Sequence, residues 1–261
     1  MIGQKNNINT IIQWRCNKSV PRFIIISGDI GSGRLTLAKV IIKMINAKGI
    51  IMGNSIAEVR ETIENAYTIT EPTCYIFRNA DDMKNEAKNA LLKVVEEPPN
   101  NAYFIMTVQN IDNMLGTIRS RGTAIKMEPY TREEMLSVTN DEVLLNYCSN
   151  IGQMKIDKKD LEKALDCSEN VIKALKEKSG TKLLKACVQL RSKQSEMEKI
   201  EGSLFMRVFE KRLLEISLNE ACLKYLSNCK REISRNTINK KSSIECMLIN
   251  ILEDIKNAEV S

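Results

Sequence analysis

The feature that most restricts the fold is a junction between a strand and a helix. Phe23–Ser27 reads Phe-Ile-Ile-Ile-Ser, a short apolar run that ends at Gly28. A helix is expected over Leu35–Ile45. The link is Gly28-Asp29-Ile30-Gly31-Ser32-Gly33-Arg34-Leu35. A strand apolar on both faces belongs inside a parallel sheet. Glycines at such a turn let backbone N–H groups point inward around an anion, and the following helix N-terminus adds positive potential. Gly28 and Gly33 hold the interval of the pattern G-x-x-x-x-G-K-[ST], with Gly31, Ser32, Arg34, Leu35 and Thr36 completing the candidate phosphate-binding set.

The chemical positions of that pattern are altered. Arg34 stands where a lysine reaches the terminal phosphates, and its planar fork replaces a compact ammonium poorly. Leu35 stands where a hydroxyl would ligate magnesium. Thr36 comes one residue late, about 100° further round the helix, and points elsewhere. A hydrolytic site of this kind also needs an acidic pair after a second buried strand. Cys74–Phe77 is that strand, and the register of Ala80 and Met83 puts Arg78 and Asn79 in the carboxylate positions. A carboxylate there would hold metal and orient water, whereas Arg78 repels a cation. Asp81 and Asp82 come later and read as first-turn or capping charges. No metal site and no required cofactor are expected, and weak ATP or ADP binding through the loop backbone is left open.

Further strands are expected at Ala102–Val108 and Ala124–Met127. A helix over Lys84–Val95 places Ala87, Ala90, Leu91 and Val94 on one face, and Pro98 and Pro99 stop it. Strands alternating with helices predict an α/β domain with a parallel sheet. After Pro129 the β pattern ends. Thr131 is a candidate cap with Glu133 and Glu134 behind it, and short amphipathic helices follow to about Leu190. From Arg191 the pattern is charged and helical. The expected division is 1–128, 129–190 and 191–261.

The segment Asn89-Ala90-Leu91-Leu92-Lys93-Val94-Val95-Glu96-Glu97-Pro98-Pro99 resembles the N-A-L-L-K-x-x-E-E-P-P helix of the bacterial clamp-loader family, the AAA+ subunits of DNA polymerase III. Thr117-Ile118-Arg119-Ser120-Arg121-Gly122 is similar to that family's S-R-C motif, with glycine for cysteine. Ile2-Gly3-Gln4 resembles its opening and Asn236–Leu252 its C-terminal collar helix. The zinc-binding cysteine module of many relatives is missing, because Ile45 to Ile56 is too short for it. Val108-Gln109-Asn110 departs from the usual sensor, and Lys155 is a weak candidate for a second one beside Gly152-Gln153.

The resemblance implies an N-terminal AAA+ α/β domain, a small helical lid and an all-α collar. With its own site degenerate, the chain is similar above all to the delta-prime type, a stator. Its expected partners are gamma- or tau-type ATPase and delta-type subunits, and through them a sliding clamp and primer-template DNA. Arg121 would act in trans, reaching a neighbour's ATP site. The alternatives are an ATP-hydrolysing gamma-type subunit and a direct DNA-binding protein.

Composition narrows these choices. The 261 residues include no histidine, which removes histidine bases and ligands. A net charge of +6 permits contact with nucleic acid without demanding it. The eight cysteines lack zinc-site spacing and read as small buried hydrophobes in a reducing compartment. Trp14 and Tyr103 read as core residues rather than base-stacking platforms, and Arg231, Arg235, Lys240 and Lys241 as a solvated face. The chain has no signal-peptide core at its start and no apolar run long enough for a bilayer. It is expected to be cytoplasmic, with no membrane partner. Ile244, Met247, Leu248, Ile251 and Leu252 form an apolar stripe at helical spacing, read as an assembly surface with internal packing as the alternative.

Overall fold

The computed structural model describes residues 1–191, 202–215, 220–234 and 240–257. Contacts divide the chain into two compact units: Met1–Leu145 with Ser149–Met154, and Asn146–Cys148 with Lys155–Ser261. The expected lid therefore contributes to both units, whereas the expected collar lies wholly in the second.

The first unit is built on strands β1 (Phe23–Ser27), β2 (Lys48–Met52), β3 (Thr73–Phe77), β4 (Ala102–Val108) and β5 (Thr123–Lys126). They form one sheet in the order β2-β3-β4-β1-β5, all pairs parallel. Its helices are α1 (Lys5–Cys16), α2 (Arg34–Met44), α3 (Ile56–Thr68), α4 (Asn85–Glu96), α5 (Gly116–Arg119) and α6 (Arg132–Leu136), and α7 (Glu142–Tyr147) begins in this unit and ends on residues of the second. Alternate residues of the central strands supply two cores. Phe23, Ile25, Tyr75, Phe77, Phe104 and Met106 pack with Val59 and Ala66 of α3 and with Ala87, Leu91, Val94 and Val95 of α4. Ile24, Ile26, Ile76 and Ile105 pack on the other face with Ile11 of α1 and with Leu37, Ala38 and Ile41 of α2. Burial on both faces explains the continuous apolar run of β1. Trp14 and Tyr103 pack at the margin of the second core.

The four strands and two helices expected here are present within one or two residues of their expected ends. Strand β2 was not anticipated. It is the sheet edge and stays exposed or half-buried along its length, so its residues lack the apolar signature of a buried strand. Helices α1 and α3 were also missed. Helix α3 carries a capping box, in which Ser55 accepts from the Glu58 N–H and Glu58 reaches back to Ser55. The capping expected of Thr131 is present, with Glu134 as its partner at the start of α6.

The second unit contains α8 (Lys158–Lys176), α9 (Gly180–Arg191), α10 (Gly202–Glu215), α11 (Glu220–Ser234) and α12 (Lys240–Asn257). Ile244, Met247, Leu248, Ile251 and Leu252 are all buried, as α12 packs on α11, α9, α10 and α8. The stripe is therefore interior, which corrects its reading as an assembly surface. A sequence stripe marks the side that must leave water without saying whose atoms cover it. Arg231, Lys240 and Lys241 stand on helices; Arg235 and residues 236–239 lie outside the described residues. Six cysteines are buried as expected, but Cys16 and Cys246 are exposed.

Candidate functional site

Parallel register brings the altered motifs to one sheet edge. Ser27 pairs with Val108 and Phe77 with Met106. Gly28, Arg78 and Gln109 therefore all leave the sheet at the carboxyl ends of adjacent strands, where open α/β sheets place their ligand crevice.

The phosphate loop turns through Gly31 at φ 86° and Gly33 at φ 94°, a region that L side chains rarely enter. Gly33 caps α2 without a side-chain hydrogen bond. Arg34, the first residue of α2, is buried, and its Nη2 donates to Asn79 Oδ1 at 3.3 Å. The residues at the lysine position and the second carboxylate position thus hold each other. Asn79 adopts a left-handed conformation, and its N–H donates to Thr107 Oγ1 at 3.2 Å. Burial lowers the Arg34 pKa from its ordinary value, opposed by the charges of Asp81, Asp29 and Asp82. Arg34 Nη1 and Ser32 Oγ are buried without a hydrogen-bond partner among the described residues. Leu35 packs against the core beneath α2, and Thr36 is exposed. Arg78 is exposed, and its carbonyl accepts from Asn54 Nδ2 at 2.7 Å.

Asp81 and Asp82 lie in the first turn of the short helix Ala80–Asp82, as expected, and Asp81 has a further role. Its Oδ2 accepts from the Gln109 N–H at 2.9 Å, which ties the turn after β3 to the end of β4. Lys88 of α4 is buried beside it. Its Nζ donates to the carbonyls of Asp81 at 3.2 Å and Asn113 at 3.4 Å, joining three segments. Burial lowers the Lys88 pKa, opposed by Asp81 and Asp82.

The segment Ser149–Met154 clasps the phosphate loop. Asn150 Nδ2 and Gln153 Nε2 donate to Ile30 O at 3.0 and 3.2 Å, and the Gly152 N–H donates to Gly31 O at 3.1 Å. Asn150 and Gln153 are both buried, and Asn150 Oδ1 also accepts the Gln153 N–H. Gly152-Gln153 was noticed in the sequence, but its contact with the loop was not. Lys155 is exposed. Tyr130 adds a further tie, its hydroxyl donating to Ser32 O at 3.1 Å. Gln4 is buried and pairs with the backbone of Glu128 through both ends of its amide.

Arg121 lies just past α5. Its Nη1 donates to Thr117 O at 2.8 Å and its Nη2 to Glu96 Oε1 at 3.0 Å. Arg119 pairs with Asp112 at 2.6 Å. Gly122, where the resembled motif has cysteine, leaves no room for a side chain: a Cβ would stand 2.7 Å from Ile25 Cδ1.

The residues present do not fit the magnesium that accompanies triphosphate at such loops. Leu35 offers no oxygen, Arg78 brings a positive charge, and Asn79 is engaged with Arg34. Among the described residues no group of three or more Cys, Asp or Glu side chains is arranged to hold a metal. Also among them, no helix is long and apolar enough to cross a membrane.

Sheet order, phosphate loop and flanking helices define an AAA+ module of the P-loop class. A DNA polymerase III gamma subunit-related protein from Thermotoga maritima shares this fold, with a TM-score of 0.57 and 15% identity, over 94% of this chain and 99% of that one. Residues 41–131 match the family described as DNA polymerase III, delta subunit. A DNA polymerase III subunit gamma of Buchnera aphidicola subsp. Schizaphis graminum is 25% identical over 215 residues, spanning 66% of this chain and 59% of its own. A subunit gamma/tau of Mycoplasma genitalium is 25% identical over 203 residues, covering 66% of this chain and 33% of its own. The match thus spans less than two thirds of the length of either curated relative. The chain is thus similar to bacterial clamp-loader AAA+ subunits of DNA polymerase III.

Proposed function

We propose that this chain is a non-hydrolysing, delta-prime-like subunit of a DNA polymerase III clamp loader, which serves as a stator and presents Arg121 to a neighbouring subunit's ATP site. The observation that carries the reading is the Arg34–Asn79 hydrogen bond. It joins two positions that should serve phosphate and water, in a site whose magnesium position is Leu35. Metal neutralisation of phosphate charge supplies much of phosphoryl-transfer catalysis, and these residues offer nothing in its place. A guanidinium presented from outside could serve a neighbour, because its permanent charge and donor fork suit a transferring phosphoryl group; such fingers are worth roughly 10³–10⁵ in rate elsewhere. The partners would be ATP-hydrolysing gamma- or tau-type and delta-type subunits, with a sliding clamp and primer-template DNA reached through the assembly, in the cytoplasm.

A gamma-type, ATP-hydrolysing role is the second reading, favoured by the names of the curated relatives. One set of measurements separates the two. The purified chain should join a complex with an ATP-hydrolysing loader subunit and show no magnesium-dependent ATPase alone. Arg121→Ala should leave assembly intact and lower ATP hydrolysis by the complex, with nucleotide affinity little changed. Steady turnover by the isolated chain, abolished by changing Gly33, would establish the gamma-type reading instead. An unchanged rate in the Arg121→Ala complex would remove the trans-acting role.

A further inference from the structure

Arg121 is anchored inside its own chain by two contacts, one from each terminal nitrogen. Nη1 meets the carbonyl of Thr117, four residues earlier, and Nη2 meets Glu96, the last residue of α4. The Arg121 side chain keeps 31% of its accessibility and that of Glu96 54%, so the pair is reachable from solvent. Arg119 is committed to Asp112 and does not compete for Glu96.

A guanidinium has five N–H donors in one rigid plane. Two contacts fix the orientation of that plane and leave three donors for an anion. Holding the plane beforehand matters because a long side chain loses rotamer freedom when it docks, and a group already ordered has less to lose. The Thr117 contact comes from the backbone of the same short segment and follows from local geometry. The Glu96 contact comes from another helix, 25 residues away in sequence, and depends on that side chain alone.

We propose that Glu96 is the positioning residue for Arg121: its carboxylate oxygen holds the guanidinium in the orientation presented to a phosphate group outside this chain. The inference rests on the trans-acting reading of Arg121 above. It assigns Glu96 an action through geometry rather than charge, since a negative carboxylate beside a phosphoryl group contributes repulsion.

The test uses the assembled loader carrying ATP-hydrolysing neighbours, with assembly checked for every variant. Glu96→Ala should lower kcat for ATP hydrolysis by roughly two- to five-fold, the scale of an exposed ion pair, and leave KM unchanged. Glu96→Gln keeps an acceptor oxygen at the same reach and should retain most of the rate. In an Arg121→Ala background, Glu96→Ala should have no further effect. The proposal is overturned if Glu96→Ala matches the unmutated complex while Arg121→Ala is slow. It is overturned equally if Glu96→Gln is as slow as Glu96→Ala, or if Glu96→Ala costs as much without Arg121 as with it. Should Arg121→Ala itself hydrolyse ATP at the full rate, the trans-acting reading fails first and the role of Glu96 with it.

Discussion

Replacing Gly152 by alanine tests the clasp on the phosphate loop. A Cβ at Gly152 would stand 2.3 Å from Gly31 O, 2.4 Å from Gly31 Cα and 2.8 Å from Gly31 C. These are backbone atoms and cannot swing aside as a side-chain tip does. Ordinary contact begins at 3.4 Å, so the two segments must part by about 1 Å. Parting strains the three hydrogen bonds to Ile30 O and Gly31 O together. Each is worth about 0.5–1.5 kcal/mol net, and overpacking alone costs about 1–3 kcal/mol. Because moving apart relieves part of the clash as it weakens the bonds, the two costs overlap and add only in part. Gly152→Ala should therefore destabilise the first unit by about 2–4 kcal/mol. Trp14, the single tryptophan of the chain, lies in that unit and reports its unfolding through fluorescence in urea. Asn150→Ala should cost less, about 1–3 kcal/mol, and combine with Gly152→Ala far less than additively, since both act on one network. Gly116→Ala is the control, because a Cβ there meets nothing within 4 Å; it should stay within about 0.5 kcal/mol of the unmutated chain. A Gly152→Ala midpoint no lower than that of Gly116→Ala would refute the clasp as a structural tie.

The remaining predictions concern chemistry. Arg34→Lys restores the usual residue of the loop but neither Leu35 nor Arg78 and Asn79, so the isolated chain should still show no magnesium-dependent ATP hydrolysis in a phosphate-release assay; turnover above background would contradict this. A thiol reagent on the native protein should modify Cys16 and Cys246 first, and all eight cysteines once the chain is unfolded, as mass spectrometry of the adducts will show. Burial pushes the thiols of Cys74, Cys167 and Cys229 up to about 12 from 9.0. The folded chain keeps three protons that the unfolded chain releases above pH 9, so these groups lower stability as pH rises from about 9 towards about 12. Urea midpoints at pH 8 and pH 10.5 should show the fall, and Cys74→Ala should lessen its slope; an unchanged slope would contradict the assignment.

The sequence by itself determined the parts of this protein that follow from local pattern. The apolar run Phe23–Ile26 reads as a buried strand, and the glycine spacing after it as a tight turn into a helix. The departures from the magnesium-binding pattern were equally legible, because the Leu35 side chain has no oxygen in any conformation and Arg78 is a cation wherever it points. The eleven residues from Asn89 to Pro99 carried the family resemblance.

Only the tertiary structure decided what these residues touch. Strand β2 is an edge whose exposed residues look like loop until β3 pairs with them. That Arg34 meets Asn79, that Gly152 lies on Gly31 and that Glu96 holds Arg121 are pairings 45, 121 and 25 residues apart. Each is set by the register of parallel strands and the packing of helices between them, which no local periodicity encodes. The apolar stripe of α12 makes the same point. Its spacing required burial, but the side chains of the neighbouring helices determined that the burial is internal. Apolar burial is non-directional: it fixes which faces leave water, and the chain's path through space selects the partner.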